Sequence, residues 1–349
     1  MVGEVVPVRV DPATATRDLW ARYHAFRRAR QKASRPDDPF KGDADEEALL
    51  KREDPFEVHE RVEVSRDGVM VGLLEGRTVT PKSPEYESSK HLYDAEIFVL
   101  PEHRRRHIAS AFLPVLIELM DGHGATTVTS WAEEGSGHEF MKWVGAGPKM
   151  GSIESRLRLS EVDWKLMERW VAEGRSRSPE TKLEIYDGPI PEDMRADYAP
   201  QLSSILNTIP FEKMDHGEII ITPESMREFY ARLAVTATRQ HTVITREPDG
   251  VISGITDTGW APFHSTIVYQ WFTGVRPDAR DRGLGKWIKA AMLIHVRELY
   301  PDVTWVTTDN AGSNAPMLKI NRGMGFKVYR EGTVYQITRD ELARRLASV

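Results

Sequence analysis

Val275, Pro277, Arg280, Gly283 and Gly285 form the spacing in this chain that most directly implies chemistry. The run leaves an aromatic, β-branched stretch, Thr266 to Phe272, and enters a helical pattern from Trp287 to Tyr300. A glycine turn feeding a helix N-terminus converges backbone N–H groups and adds the positive end of the helix dipole, an arrangement that holds phosphate. Gly283 and Gly285 would let the main chain approach the ligand without an intervening Cβ. Arg280, Arg282 and Lys286 supply cationic donors at the rim, with Asp281 and Leu284 completing the loop. The same pattern also fits a tight strand-to-helix turn that binds nothing.

The pattern recurs. Val99, Pro101 and Arg104 each stand 176 positions before Val275, Pro277 and Arg280, but His107 and Ala109 take the places of Gly283 and Gly285. The Cβ of His107 is expected to obstruct phosphate, while Arg104, Arg105 and Arg106 keep the positive charge. The first copy therefore reads as structural and the second as functional. A chain of 349 residues is long for one domain. The repeat divides it into 1–160, a connecting helix and linker over 161–182, and 183–349.

Composition narrows the function. The formal net charge of −6 disfavours nucleic-acid and anionic-membrane partners and suits a cationic small molecule. The absence of cysteine excludes disulfides, cysteine-ligated zinc and a cysteine acyl intermediate. The N-terminal residues read as a short strand with no basic leader before an apolar run, and no stretch approaches a transmembrane helix. A cytoplasmic location is expected. His24, His59 and His91 show no metal-ligand spacing, and no metal is expected.

The elements that must position these residues can be read coarsely. In the first half, strands fall near Val5–Val10, Phe56–Ser65, Val69–Val79, Lys90–Val99, Thr126–Trp131 and Ser152–Leu159. Helices fall near Ala13–Arg30, Asp45–Lys51, Arg106–Met120 and His138–Val144. An amphipathic helix from Leu159 to Glu173 leads into a linker beginning at Gly174. The order then restarts at Leu183, and Phe326–Arg330 and Val334–Ile337 read as a closing hairpin at Glu331-Gly332.

This order, with Val-x-Pro-x-x-Arg-x-x-Gly-x-Gly between the fourth strand and third helix, resembles the GNAT superfamily of acyl-CoA-dependent N-acyltransferases. Asn310 to Phe326 is similar to the family's second segment, in which an asparagine opens the fourth helix and a Gly-Phe pair starts the next strand; here these are Asn314 and Gly325-Phe326. The doubled arrangement is similar to mycothiol synthase-like enzymes. The resemblance implies an α/β chain of two consecutive GNAT-like domains, each a mixed, mostly antiparallel sheet flanked by helices. It also implies acetyl-CoA as co-substrate and an amine acceptor, here expected to be a primary amine on a small molecule. The pyrophosphate would rest on the loop around Gly283, and the pantetheine arm on the strand edge from Thr273 to Val275. Met317 and the helix opened by Asn314 would flank that arm.

Two family positions depart from the pattern. Gln270 stands where many relatives have a glutamate base, and Asn321 where many have a tyrosine acid. Asn321 could still donate a hydrogen bond to the departing sulfur. Asp257 is the first choice for the base, with His264, Asp215 and Glu218 as others; a turn-forming Asp257 and a solvated His264 are the ordinary readings. The pair Glu133-Glu134 could meet an acceptor's ammonium or simply line an exposed loop. The chain is expected to be a monomer, with the two halves as an internal pseudo-dimer, or a homodimer.

Overall fold

A computed structural model describes residues 5–133 and 135–348. Residues 1–4, Glu134 and Val349 lie outside the described residues. In chain order the elements are β1 (Val8–Val10), α1 (Arg17–Ser34), α2 (Asp43–Lys51), β2 (Glu57–Arg66), β3 (Val69–Val79), α3 (Tyr86–Ser89), β4 (Leu92–Val99), α4 (Ile108–His123), β5 (Thr127–Ala132), α5 (Gly135–Val144) and β6 (Gly147–Arg158). Then come α6 (Trp164–Arg177), β7 (Lys182–Asp187), α7 (Arg195–Leu206), α8 (Pro223–Val235), β8 (Arg239–Arg246), β9 (Ile252–Trp260), β10 (Ile267–Val275), α9 (Leu284–Leu299), β11 (Trp305–Ala311), α10 (Ala315–Met324), β12 (Lys327–Thr338) and α11 (Arg339–Ala347).

The chain forms two compact units, and neither is a single stretch of sequence. One comprises 1–149, 213–217 and 333–349; the other comprises 150–212 and 218–332. These limits differ from the expected divisions at 160 and 183, and the reason is strand pairing. Ser152–Leu159, expected to close the first sheet, instead runs antiparallel to β11 from Ser152↔Ala311 to Arg158↔Trp305, inside the second unit. The expected C-terminal hairpin is one continuous strand, β12. Its last six residues, Thr333–Thr338, pair with β5 and finish the sheet of the first unit.

In the first unit β2, β3 and β4 form an antiparallel ladder, and β4 pairs in parallel with β5 over Leu92–Asp94. Alternation puts Val62, Val64, Leu74, Tyr93 and Ala95 against α4, whose Phe112, Leu113 and Leu116 are buried at helical spacing. Tyr335, Ile337 and Leu342 join the same core from the chain's end. Residues 213–217 are tied in by Asp215, whose carboxylate lies 3.2 Å from His91 Nε2 and whose N–H donates to Gln336 at 2.8 Å. Phe112 is fully buried. Phe112→Ala should cost about 3–5 kcal/mol, read as a fall in the denaturant midpoint of this unit.

In the second unit β7, β8, β9 and β10 are antiparallel neighbours, and β10 pairs in parallel with β11. One face, carrying Val243 and Val268, packs on α9 through Ile288, Met292 and Val296. The other, carrying Ile244, Ile252 and Ile255, packs on Tyr198 and Ala199 of α7 and Met226 of α8. Helix α6 extends through Gly174 to Arg177, past the expected linker start. A Cβ on Gly174 would lie 2.4 Å from Trp287, so the missing side chain lets α6 seat on α9. Among the described residues no helix is long and apolar enough to cross a membrane.

Candidate active site

The loop between β10 and α9 is held open by its own residues. Pro277 starts one turn of 3-10 helix, Asp281 takes φ +64°, and Gly283 takes φ +82° as the N-cap of α9. Among the described residues, nothing accepts a hydrogen bond from the backbone N–H of Asp281, Arg282, Gly283, Leu284 or Gly285. Consecutive unpaired amides at a helix N-terminus are what an anionic group satisfies. The two glycines do different work. A Cβ on Gly283 would meet Arg177 Nη1 at 3.4 Å, so there the positive φ is the constraint. A Cβ on Gly285 would meet Ile320 at 3.2 Å and Val275 at 3.7 Å, so Gly285 admits α10 rather than a phosphate.

The cations differ from expectation as well. Arg282 is occupied within the protein. Its guanidinium pairs with Glu247 at 3.0 and 3.2 Å and donates to Thr181 at 2.7 Å and Ser178 at 3.2 Å. It braces the loop rather than facing a ligand. Arg280 donates to the Val275 carbonyl at 3.3 Å and closes the turn. Lys286 Nζ lies 5.1 Å from the centre of the Trp170 ring. The cation beside Gly283 is Arg177, half-exposed at the end of α6 and only loosely paired with Glu173 at 3.8 Å. A helix extending three residues beyond Gly174 was the missing signal. Arg177→Ala should weaken binding of a CoA diphosphate by about 1 kcal/mol, roughly fivefold, with a reduced salt dependence in titration calorimetry.

Next to the loop the sheet opens. β10 pairs with β11 only from Ile267 to Gln270, whereas its pairing with β9 continues to Val275 after a register shift at Trp271. Arg276 donates its N–H to the Ser253 carbonyl at 2.9 Å. By alternation, Thr273 and Val275 direct their backbone groups away from β9, toward the parted edge. An extended arm can add there as a strand. The Thr273 side chain is engaged elsewhere, 2.7 Å from Thr256 Oγ1.

Asn314 caps α10, its side chain accepting from Met317 N–H at 3.3 Å, which makes it a positioning group. Asn321 is buried; its amide donates to Asn310 Oδ1 at 2.7 Å, and its own Oδ1 has no partner. The unsatisfied atom is therefore an acceptor, suited to an N–H or S–H rather than to a departing thiolate, which alters the role expected of Asn321.

Asp257 lies within β9 and not at a turn, because the strand runs on to Trp260. It faces α7 and is register partner of Phe272, just past the shift in β10. Thr242 Oγ1 donates to it at 2.6 Å, and burial raises its carboxyl to about 6. On the opposite face sits a group the sequence reading missed. Lys289 of α9 is buried and donates to Gln270 Oε1 at 2.6 Å, while Gln270 Nε2 donates to Thr256 at 2.7 Å. Burial pushes the Lys289 ammonium down to about 7. A lysine inside a helix reads as solvated; only its spacing with Trp287, Ile288 and Met292 hinted otherwise.

Of the other expected bases, Glu218 is exposed in the second unit. His264 Nδ1 lies 2.9 Å from the Tyr269 hydroxyl, before the start of β10, and Asp215 belongs to the first unit. Glu133 pairs with Arg35 at 3.2 Å.

The first unit repeats the turn. Arg105 and His107 both have φ +60°, matching Asp281 and Gly283, and Arg104 donates to the Val99 carbonyl at 3.2 Å as Arg280 does to Val275. Among the described residues the N–H groups of Arg105 to Ala109 likewise find no acceptor. A histidine thus holds the left-handed turn, and what differs is the added Cβ. Unlike β10, β4 has no register shift against β3.

Residues 19–142 match the model of the Acetyltransferase (GNAT) family. Over 96% of this chain, the fold is similar to a tandem GNAT protein from the clavulanic acid biosynthesis pathway, with TM-score 0.71, 20% identity and 99% of that chain covered. It is also similar to a GCN5-related N-acetyltransferase from Sphaerobacter thermophilus, with TM-score 0.62, 13% identity and 96% of each chain covered. A third similar structure is a GCN5-related glucosamine N-acetyltransferase region of a fungal multi-domain GH3 β-N-acetylglucosaminidase, with TM-score 0.61 and 11% identity; this chain covers 38% of that one. Comparison with curated proteins finds no match. The fold of the chain is thus that of tandem GNAT proteins, and the GNAT family model matches within its first unit. The family model falls in the half whose loop lacks the glycines.

Proposed function

We propose that the second unit transfers the acetyl group of acetyl-CoA directly to a primary amine on a small molecule. The observation that carries this is the open amide run Asp281–Gly285 beside the parting of β10 from β11 within one unit. In this reading the diphosphate rests on the amides with Arg177 beside it, and the pantetheine arm follows Thr273 and Val275. The orphaned Oδ1 of Asn321 accepts from the ligand. Asp257, on the face covered by α7 and α8, takes the ammonium proton directly or through water, so that a neutral amine attacks the thioester carbonyl; the C–S bond then breaks, and CoA leaves as the thiol with the proton lost by the attacking nitrogen. The charge of −6 favours a cationic acceptor, and the fungal region similar in fold is described as acting on glucosamine.

Thiol release from acetyl-CoA with a panel of small amines and with peptides tests this. Release with amines is expected. Release with peptides alone would move the acceptor to protein, and CoA binding with no release would leave a non-catalytic binding protein. A second reading, that the first unit also holds CoA, is favoured by its matching amide run and by the family match over 19–142. Titration calorimetry separates the two: one CoA per chain is expected, with turnover barely altered by His107→Ala. Two per chain, or a large loss in that variant, would bring the first unit into play.

A further inference from the structure

Asp187, His241 and His295 come from three elements of the second unit and meet at one point. Asp187 ends β7 and is register partner of His241 on β8; His295 lies on α9. Asp187 Oδ1 is 2.6 Å from His241 Nδ1 and 2.7 Å from His295 Nε2. One ligand atom from each of the three residues lies within 4.8 Å of the others. The far nitrogen of His241, Nε2, is 2.7 Å from the Tyr300 hydroxyl. That is the outer contact that fixes the tautomer and orientation of a metal-binding imidazole. Exposure rises from His241, at 4% of its side chain, through His295 at 18% to Asp187 at 52%, leaving one side open to an entering ion and to water.

We propose that Asp187, His241 and His295 bind one divalent transition-metal ion, zinc or an ion of similar chemistry. Two imidazoles and a carboxylate suit zinc, and three protein ligands with a solvent-facing side leave the fourth position to water. Hard cations such as magnesium and calcium, which take oxygen ligands, do not fit this set. The ion would tie β7 and β8 to α9, the helix whose N-terminus carries the open amides around Gly283. Its place is structural, and no step of acetyl transfer runs through it. Short histidine spacings cannot show such a site, since its ligands lie 54 and 108 positions apart.

The full chain, freed of metal with a chelator, is titrated with Zn²⁺ by calorimetry and with Co²⁺ by visible absorption. One equivalent per chain is expected, with cobalt bands of a four- or five-coordinate site and a melting temperature that rises with zinc concentration. His295→Ala should weaken zinc binding by about a hundredfold or more, and Tyr300→Phe, which keeps all three ligands, by roughly tenfold. His59→Ala, in the separate group of Asp54, Glu57 and His59, should change nothing. If His295→Ala fails to fold, Asp187→Asn gives the same reading. No saturable uptake, uptake undiminished in both ligand variants, or loss with His59→Ala overturns the proposal.

Discussion

Gly283→Val is expected to weaken acetyl-CoA binding by roughly 2–3 kcal/mol, about 30- to 150-fold in Kd. Gly283 holds φ +82° at the N-cap of α9, and a β-branched residue is a genuine outlier there. Valine must either bear that strain or move the helix start, and moving it disperses the amides from Asp281 to Gly285. Gly283→His provides a graded control, since His107 occupies the matching turn at φ +60°. It should keep the loop and lose affinity mainly through its Cβ. Calorimetry on the folded variants decides: a Kd unchanged by valine places the diphosphate elsewhere.

The second large effect is a divergence between rate and stability in Asp257→Asn. As the proposed base, Asp257 contributes about 10²–10⁴ to kcat, and the variant should lose most of it. Thr242 can still donate to an asparagine Oδ1, so the packing survives. Burial raises the carboxyl from 3.8 to about 6, which means that ionising it is harder in the folded chain than in the unfolded one. Its charge therefore opposes folding from the unfolded value upward, reaching full size above about pH 6, at roughly 3 kcal/mol or less. Asparagine removes that penalty, so the variant should melt at a higher temperature than wild type at pH 7.5, while the two converge near pH 4. Wild-type kcat/KM should climb through about pH 6, and the variant should lack that limb. A full rate in Asp257→Asn would assign the proton transfer to another group.

The loop was legible because its constraints are local. Pro277 fixes a 3-10 turn and Gly283 a left-handed φ, and both act within a few residues of the helix they start. Arg282 was misassigned because its partner Glu247 is 35 positions away, and a sequence motif cannot show which cations are already paired. Arg177 and Lys289 were missed for related reasons: one stands past a glycine that reads as a linker, the other in a helix whose buried face is wider than its apolar stripe. The boundaries failed at the sheet edges. Nothing in Val334–Ile337 states that its neighbour is β5, where Gln336 reaches Thr129 across 207 positions. Strand propensity is local and pairing is not.

That pairing bears on biosynthesis. A ribosome releases the chain from its N-terminus, and independent domains ordinarily fold as they emerge. Here the sheet of the early lobe is finished by Thr333–Thr338, so the rim of β5 stays uncovered until those residues have been made. An uncovered rim is a template for pairing with other chains, so variants that weaken the pairing of Thr333–Thr338 with β5 are expected to lower the soluble yield.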